Sequence, residues 1–289
     1  MSWLGPVSRL VEVADGVTLH TLVWQPHGDA RLPPFLLVHG LASNAQLWLG
    51  LGRILADAGH RVVAVDQRGH GMSAKVDDGY DFATVTGDLV AVMQALDLDR
   101  PVVVGQSWGG NVVLELAARH GGTVTGVACL DGGQIDLAEQ FPDRESMLAA
   151  LRPPPLAGMR TSEIEGRLRE MARHWPDEGV QGQLGNFLRL PDGTVRPHLT
   201  LDRHLQILSH LWEHHPRDRY GDVDVPVLLL PVRGGYGGDE KERSVDEAMA
   251  MLPTARLHWL EGHHDAHAEQ PHVVAGILLD AVHDGFLRP

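Results

Sequence analysis

A chain of 289 residues with 43% hydrophobic and 21% charged side chains can bury one or two cores and is too apolar for wholesale disorder. Its 38 acidic against 24 basic residues give a formal charge of −14, which repels nucleic-acid phosphate and anionic lipid and argues against both as main partners. One cysteine, Cys129, excludes an intrachain disulfide framework and a thiolate metal cluster.

No stretch approaches the roughly 18 apolar residues of a spanning helix. The start, Met1-Ser2-Trp3-Leu4-Gly5-Pro6, lacks the basic and apolar regions of an export leader. The expectation is a cytoplasmic protein with no membrane partner.

In chain order, Val11-Glu12-Val13 and Leu19 to Val23 alternate around Asp15-Gly16, the pattern of a half-exposed hairpin. Three short branched runs follow, Phe35 to Val38, Val62 to Val65 and Val102 to Val104. Each is bounded by turn residues and separated from the next by a helical pattern, which predicts buried parallel strands of an α/β sheet. Residues 109–120 suit a helix, and 124–130 another strand. Val227 to Leu230 and Arg256 to Leu260 read as the last two. Between about 133 and 222 the strand rhythm stops. Charged helical patterns, Glu163 to His174 and Asp202 to His214, are interrupted by Pro153-Pro154-Pro155 and by the turn signal Pro191-Asp192-Gly193. The division predicted is a core of residues 1–132 and 223–289 carrying a helical lid, 133–222, over the ends of the sheet.

Gly105-Gln106-Ser107-Trp108-Gly109 lies between a predicted strand and a predicted helix. A reversal that tight needs small residues two before and two after its tip, and it lifts the tip side chain clear of the backbone beside a helix N-terminus. The pentapeptide alone is weak; its strand–turn–helix setting strengthens it. A serine hydroxyl needs a base to act as a nucleophile. The candidates are His263, His264 and His267, in Gly262-His263-His264-Asp265-Ala266-His267-Ala268-Glu269-Gln270-Pro271 after the last strand. The same three could be read as metal ligands, but their spacing is not that of a helical zinc site and no carboxylate partner is obvious. No metal and no cofactor is therefore predicted.

With these motifs in hand the chain resembles the α/β-hydrolase-fold serine hydrolases with a cap domain. The likeness spans nearly the whole sequence, in the family's order: His39-Gly40-Leu41 after the third strand, Asp66-Gln67-Arg68-Gly69-His70-Gly71-Met72-Ser73 matching D-x-R-G-x-G-x-S, the elbow at Ser107, and the closing Glu269-Gln270-Pro271. The resemblance implies a mostly parallel eight-stranded sheet flanked by helices, with the cap inserted between late strands. It places the base seven residues before Pro271, at His264, with His263 as the alternative and His267 where a supporting histidine often stands. It implies an oxyanion hole from the backbone N–H groups of Leu41 and Trp108, and a buttressing role for the loop of Asp66, Arg68 and His70. In most relatives the acid follows the strand read here as Val227 to Leu230. An ungapped match puts Gly235 there, and Asp239 would need a longer loop. In a minority the acid lies 24 residues beyond the nucleophile, which is Asp131. Asp131 is preferred and Asp239 is the alternative acid.

A serine at the elbow disfavours the epoxide hydrolases and haloalkane dehalogenases of this fold, whose nucleophile there is aspartate. The expected function is hydrolysis of a small or medium-sized, partly apolar carboxylic ester or lactone through an acyl-enzyme. The alternatives are C–C hydrolase, proline iminopeptidase-like or perhydrolase chemistry on the same triad, or a slow-turnover ligand sensor. Met147, Trp175, Phe187, His204 and Trp212 are candidates for the pocket wall, and equally for the lid's own core. Oligomeric state is not readable.

Overall fold

The computed structural model describes residues 5–26, 32–233 and 238–288; Met1, Ser2, Trp3, Leu4 and Gly235, all used above, lie outside them. The first two strands, β1 (Val7–Ala14) and β2 (Val17–Trp24), form the expected hairpin around Asp15-Gly16. β3 (Phe35–Val38) leads into α1 (Leu49–Asp57), β4 (Val62–Val65) into α2 (Phe82–Ala95), and β5 (Val102–Gln106) into α3 (Trp108–His120). β6 (Gly126–Leu130) follows. The unbroken apolar runs of β3, β4, β5 and β6 are fully buried because both faces of their sheet are covered. Alternate residues point to opposite cores. Leu36, Val38, Val63, Val65 and Val103 join one cluster, while Phe35, Leu37, Val62, Ala64, Val102 and Val104 join the other.

The chain then leaves the sheet for the segment predicted as a lid. It runs through α4 (Leu137–Gln140), α5 (Arg144–Ala150), α6 (Thr161–Met171), α7 (Asp177–Leu184), a hairpin of β7 (Phe187–Arg189) and β8 (Val195–Pro197), and α8 (Leu201–Trp212). The hairpin was not expected. Its turn is the Pro191-Asp192-Gly193 signal, with the Asp192 carboxylate accepting from Thr194 N at 2.9 Å and Gly193 at φ 83°. Its three-residue arms are too short to show a period of two.

The sheet resumes with β9 (Val227–Leu230). β10 (Val232–Arg233), α9 (Gly238–Met251), β11 (Ala255–Leu257), β12 (Leu260–Glu261), α10 (Ala266–Glu269) and α11 (Pro271–His283) complete the chain. Among the described residues eight strands form one sheet in the order β1-β2-β4-β3-β5-β6-β9-β11. It is parallel from β4 to β11, with the hairpin antiparallel at one edge. The predicted strand 256–260 divides: β11 pairs with β9, and β12 pairs separately with β10. Pro231 lies at the break and has no N–H to continue the ladder, while its carbonyl accepts from Leu260 N at 2.8 Å.

Helices α1 and α11 cover the face of Phe35 and Leu37, and α2 and α3 the face of Leu36 and Val38. Leu208 and Leu211 of α8 belong to the second of these cores, so the inserted segment shares a core with the sheet. Among the described residues no helix is long and apolar enough to cross a membrane.

Candidate active site

The elbow is forced by close backbone contacts. A Cβ on Gly105 would collide with the carbonyl oxygen of Gly109, and one on Gly109 would come 2.5 Å from the carbonyl oxygens of Val38 and His39. Small residues on both sides let the chain reverse there. Ser107 at the tip takes φ 56° and ψ −123°, a conformation that costs a side chain of order 1–3 kcal/mol and persists only where the surroundings impose it. Its N–H donates to Leu130 O at 2.9 Å. The hydroxyl therefore stands at the head of α3, at the positive end of the helix dipole.

The turn after β6 presses on this elbow, since a Cβ on Gly132 would strike the Ser107 carbonyl oxygen. That contact brings Asp131 (φ 45°) beside the nucleophile's strand end. The Asp131 side chain is 2% exposed and its Oδ2 accepts from His264 Nδ1 at 2.6 Å. Its Oδ1 accepts from Val232 N at 3.0 Å and Lys241 Nζ at 2.8 Å. Burial pushes the Asp131 carboxyl's pKa up, but the bond and charge of His264, then Lys241 and the Val232 N–H, outweigh it and hold the pKa below the ordinary value. An ionised carboxylate only accepts, so His264 Nδ1 carries the proton and Nε2 is left with a lone pair.

For His264, burial pushes the pKa down. The bond and charge of Asp131, and the charge of Asp265, outweigh it and raise the pKa above 6.5; Lys241 opposes them. The loop carrying His264 is tied at two further points. Gln106, next to the nucleophile, donates from Nε2 to His264 O at 3.2 Å, and Gln183 of α7 donates to Asp265 Oδ2 at 2.8 Å.

Ser107 and His264 line one cavity of about 330 Å³ with Leu41 and Trp108. No hydrogen bond joins Ser107 Oγ to His264 among the described residues; such contacts commonly lengthen before a substrate arrives. The rest of the wall comes largely from the inserted segment: Ile135, Leu137, Leu151, His204, Leu208 and Leu211. Of the wall candidates named from sequence, only His204 lines the cavity. Met147 is wholly buried in the main core, with Trp212 packed against that core. Phe187 packs with Ile164, Leu184 and Val195, and Trp175 lies against Gly179. A signal was present nonetheless: His204, Leu208 and Leu211 recur at i, i+4 and i+7, one stripe of α8.

The N–H groups of Leu41 and Trp108 find no acceptor among the described residues. The loop holding Leu41 is fixed by histidines. His39 donates from Nδ1 to Gly40 O at 2.7 Å and accepts from Gln67 N at Nε2, 3.0 Å. His70 donates from Nδ1 to Arg68 O at 2.9 Å, and its Nε2 accepts from Ala42 N at 3.2 Å. Burial lowers the pKa of both rings, which keeps them neutral, as their accepting nitrogens require. The loop of Asp66 and Arg68 braces this region from behind. Asp66 accepts from Ala45 N at 2.6 Å and Met72 N at 2.8 Å, and Arg68 makes a two-pronged pair with Asp88 at 2.7 and 2.8 Å.

The three closing histidines diverge. His263 is 74% exposed and bonds through Nδ1 to Glu269 at 2.7 Å. His267 is wholly buried against Trp48, ring centres 4.0 Å apart, with its pKa pushed down to about 3 by burial. Asp239 lies exposed in the first turn of α9, away from His264 Nδ1, which Asp131 occupies. Gly235 lies outside the described residues. Among those residues no group of three or more His, Cys, Asp or Glu side chains is placed to hold a metal ion. Lys241 escaped the sequence reading, because one lysine in Asp239-Glu240-Lys241-Glu242-Arg243 looks like a solvated helix face.

Residues 33–230 match the model of the alpha/beta hydrolase fold family. The chain belongs to the α/β hydrolase family. Among curated relatives, a non-heme haloperoxidase of Rhodococcus erythropolis is 36% identical over 261 residues, 86% of this chain and 89% of that protein. Esterase YbfF of Escherichia coli is 28% identical over 257 residues, 87% and 93% of the two chains. Among solved structures, E-2-(acetamidomethylene)succinate hydrolase superposes with a TM-score of 0.79 at 21% identity, covering 95% of this chain and 98% of the other. The enol-lactonase from Burkholderia xenovorans gives 0.69 at 20% identity, covering 93% and 98%. At those identities the superpositions speak for the shared fold.

Proposed function

We propose that this α/β hydrolase cleaves a small or medium-sized, partly apolar carboxylic ester or lactone through an acyl-enzyme on Ser107. One observation carries the reading: His264, bonded to the buried carboxylate of Asp131 at 2.6 Å, shares an open cavity with a serine on a strained elbow. Ser107 Oγ attacks the carbonyl carbon while His264 Nε2 takes its proton. The oxyanion forms against the Leu41 and Trp108 N–H groups, which no acceptor among the described residues occupies. Asp131 holds the imidazole's tautomer and offsets its positive charge. Collapse expels the alcohol with the proton from His264, and water, deprotonated by the same nitrogen, releases the acid.

The wall of Leu41, Ile135, Leu137, Leu151, Leu208 and Leu211 fits an acyl chain or lactone ring, and residues 133–222 act as the cap that supplies most of it. The substrate is a small molecule. The likeness to a protein named a haloperoxidase supports one second reading on the same site, perhydrolysis, in which hydrogen peroxide replaces water and the acyl-enzyme yields a peracid. A panel of p-nitrophenyl esters and lactones, assayed with and without peroxide, separates the two. Ester turnover that falls by about 10³-fold or more in Ser107→Ala supports the acyl-enzyme; turnover that survives the substitution refutes it.

A further inference from the structure

The carboxylate that orients His264 is itself held by a cation that no motif announced. Asp131 uses Oδ2 for the imidazole. Its Oδ1 receives Lys241 Nζ at 2.8 Å and Val232 N at 3.0 Å, and Lys241 Nζ also donates to Val232 O at 3.1 Å. These last three bonds close a ring in which the ammonium and the backbone of one residue, Val232, pin Oδ1 against the start of β10. With Oδ1 pinned, the carboxylate cannot turn about its own axis, and Oδ2 stays aimed at Nδ1. The Lys241 side chain is 14% exposed and lines the cavity with Ser107 and His264. Two of its three donors are used within the ring, and the buried position gives the charge weight that a surface lysine lacks. The acid arrives from the end of β6, and Lys241 on the first turn of α9 reaches the same carboxylate.

We propose that Lys241 is a positioning residue of this site: its ammonium holds Asp131 in line with the imidazole and sets the pH at which His264 becomes available as a base. The inference rests on the Ser107–His264–Asp131 reading. The charged groups around the imidazole give the sign. Asp131 and Asp265 favour the imidazolium and Lys241 opposes it. Of the remaining groups nearby, Glu269 is bonded to His263, His267 stays neutral, and Glu240 lines the cavity wall beside Lys241. Removing the ammonium leaves the Asp131 charge uncompensated, so the imidazole holds its proton to higher pH.

The experiment compares Lys241→Met and Lys241→Arg in the full chain by kcat/KM against pH, with thermal melting and an NMR titration of the His264 ring as second readouts. In Lys241→Met the acid limb moves up by about half to one pH unit, the size expected for losing one partly buried charge, and plateau kcat falls about 3- to 10-fold as Asp131 loses its alignment. Lys241→Arg keeps the limb at its wild-type position. A limb that stays in place in Lys241→Met, or moves equally in both variants, overturns the proposal; so does a fall in melting temperature with an unmoved His264 titration. Ser107→Ala, run alongside, separates the two failures: turnover surviving there removes the triad reading, whereas a dead Ser107→Ala with an unmoved limb removes Lys241 alone.

Discussion

Two histidine–aspartate pairs in this hydrolase make nearly the same bond, in very different settings. His264 Nδ1 meets Asp131 at 2.6 Å, and His20 Nδ1 meets Asp66 at 2.8 Å. The second pair even has a serine in reach, with Ser8 Oγ 2.8 Å from His20 Nε2. Burial pushes Asp66 up, but the His20 bond and the N–H groups of Met72 and Ala45 bring its pKa down to about 2, so that carboxylate is firmly ionised. Yet Ser8 is an exposed residue inside a regular strand, in register with Leu22. Ser107 stands on a strained tip at a helix head, beside a cavity and two N–H groups that find no acceptor among the described residues. The contrast separates orientation from catalysis. A serine, a histidine and an aspartate in line supply a proton path, but stabilising the developing oxyanion takes donors already aimed at empty space.

The largest effect tests that contrast directly. A fluorophosphonate probe followed by peptide mapping labels Ser107 and leaves Ser8 unmodified. Ser8→Ala retains kcat/KM within about twofold, while Ser107→Ala loses about 10³-fold or more. Labelling of Ser8 at a comparable rate would show that alignment alone suffices and would break the comparison.

Next comes the carboxylate. Asp131→Asn leaves the shape but lets the imidazole take the wrong tautomer, so kcat falls about 10³- to 10⁴-fold; Asp239→Asn stays within about twofold of wild type. The pH profile carries a sign as well. His264 must be neutral to accept a proton, and its pKa is raised above 6.5, so wild-type kcat/KM falls as pH drops through that raised value. Removing the Asp131 charge takes away the main raising influence and moves the residual acid limb to lower pH, opposite to Lys241→Met. A flat wild-type profile from pH 8 down to about 5 would speak against a histidine base.

How far the site was legible follows the same division. The elbow was readable because backbone crowding dictates Gly105 and Gly109 whatever the substrate. The buried strands were readable because a sheet covered on both faces demands unbroken branched runs. The three histidines of the closing loop could not be separated from the residues alone. It is the fold that sends His263 to Glu269, His267 under Trp48 and His264 to Asp131. Lys241 and the hairpin of β7 and β8 left no pattern, the first because a cation in an acidic helix looks solvated, the second because its arms are three residues each. The large aromatic and sulfur side chains were left open from sequence between the pocket wall and the inserted segment's own core. Met147 joins the main core, and Trp212 and Phe187 pack against cores, the commoner fate of bulky apolar groups.

The smallest predicted effect concerns that wall, where the inserted segment and the elbow are expected to behave differently under mutation. Leu151 lines the cavity at the end of α5, is only half-buried, and its carbonyl lies 3.2 Å from His204 Nε2. Leu151→Ala therefore removes side-chain volume from the wall with a smaller folding cost than a fully buried leucine, whose truncation costs about 2–5 kcal/mol. The vacated space accepts a longer acyl chain. Each added methylene buried there is worth about 0.8 kcal/mol, roughly fourfold in kcat/KM, so the preference for a chain two carbons longer rises about fifteenfold. The change appears in KM, because the wall touches substrate and transition state alike. The shortest ester keeps its wild-type kcat, since Ser107, His264 and Asp131 are untouched. A chain-length profile unchanged in this variant would mean that the acyl group lies elsewhere in the cavity; a fall in kcat for every ester alike would mean that the inserted segment positions the elbow as well as the substrate.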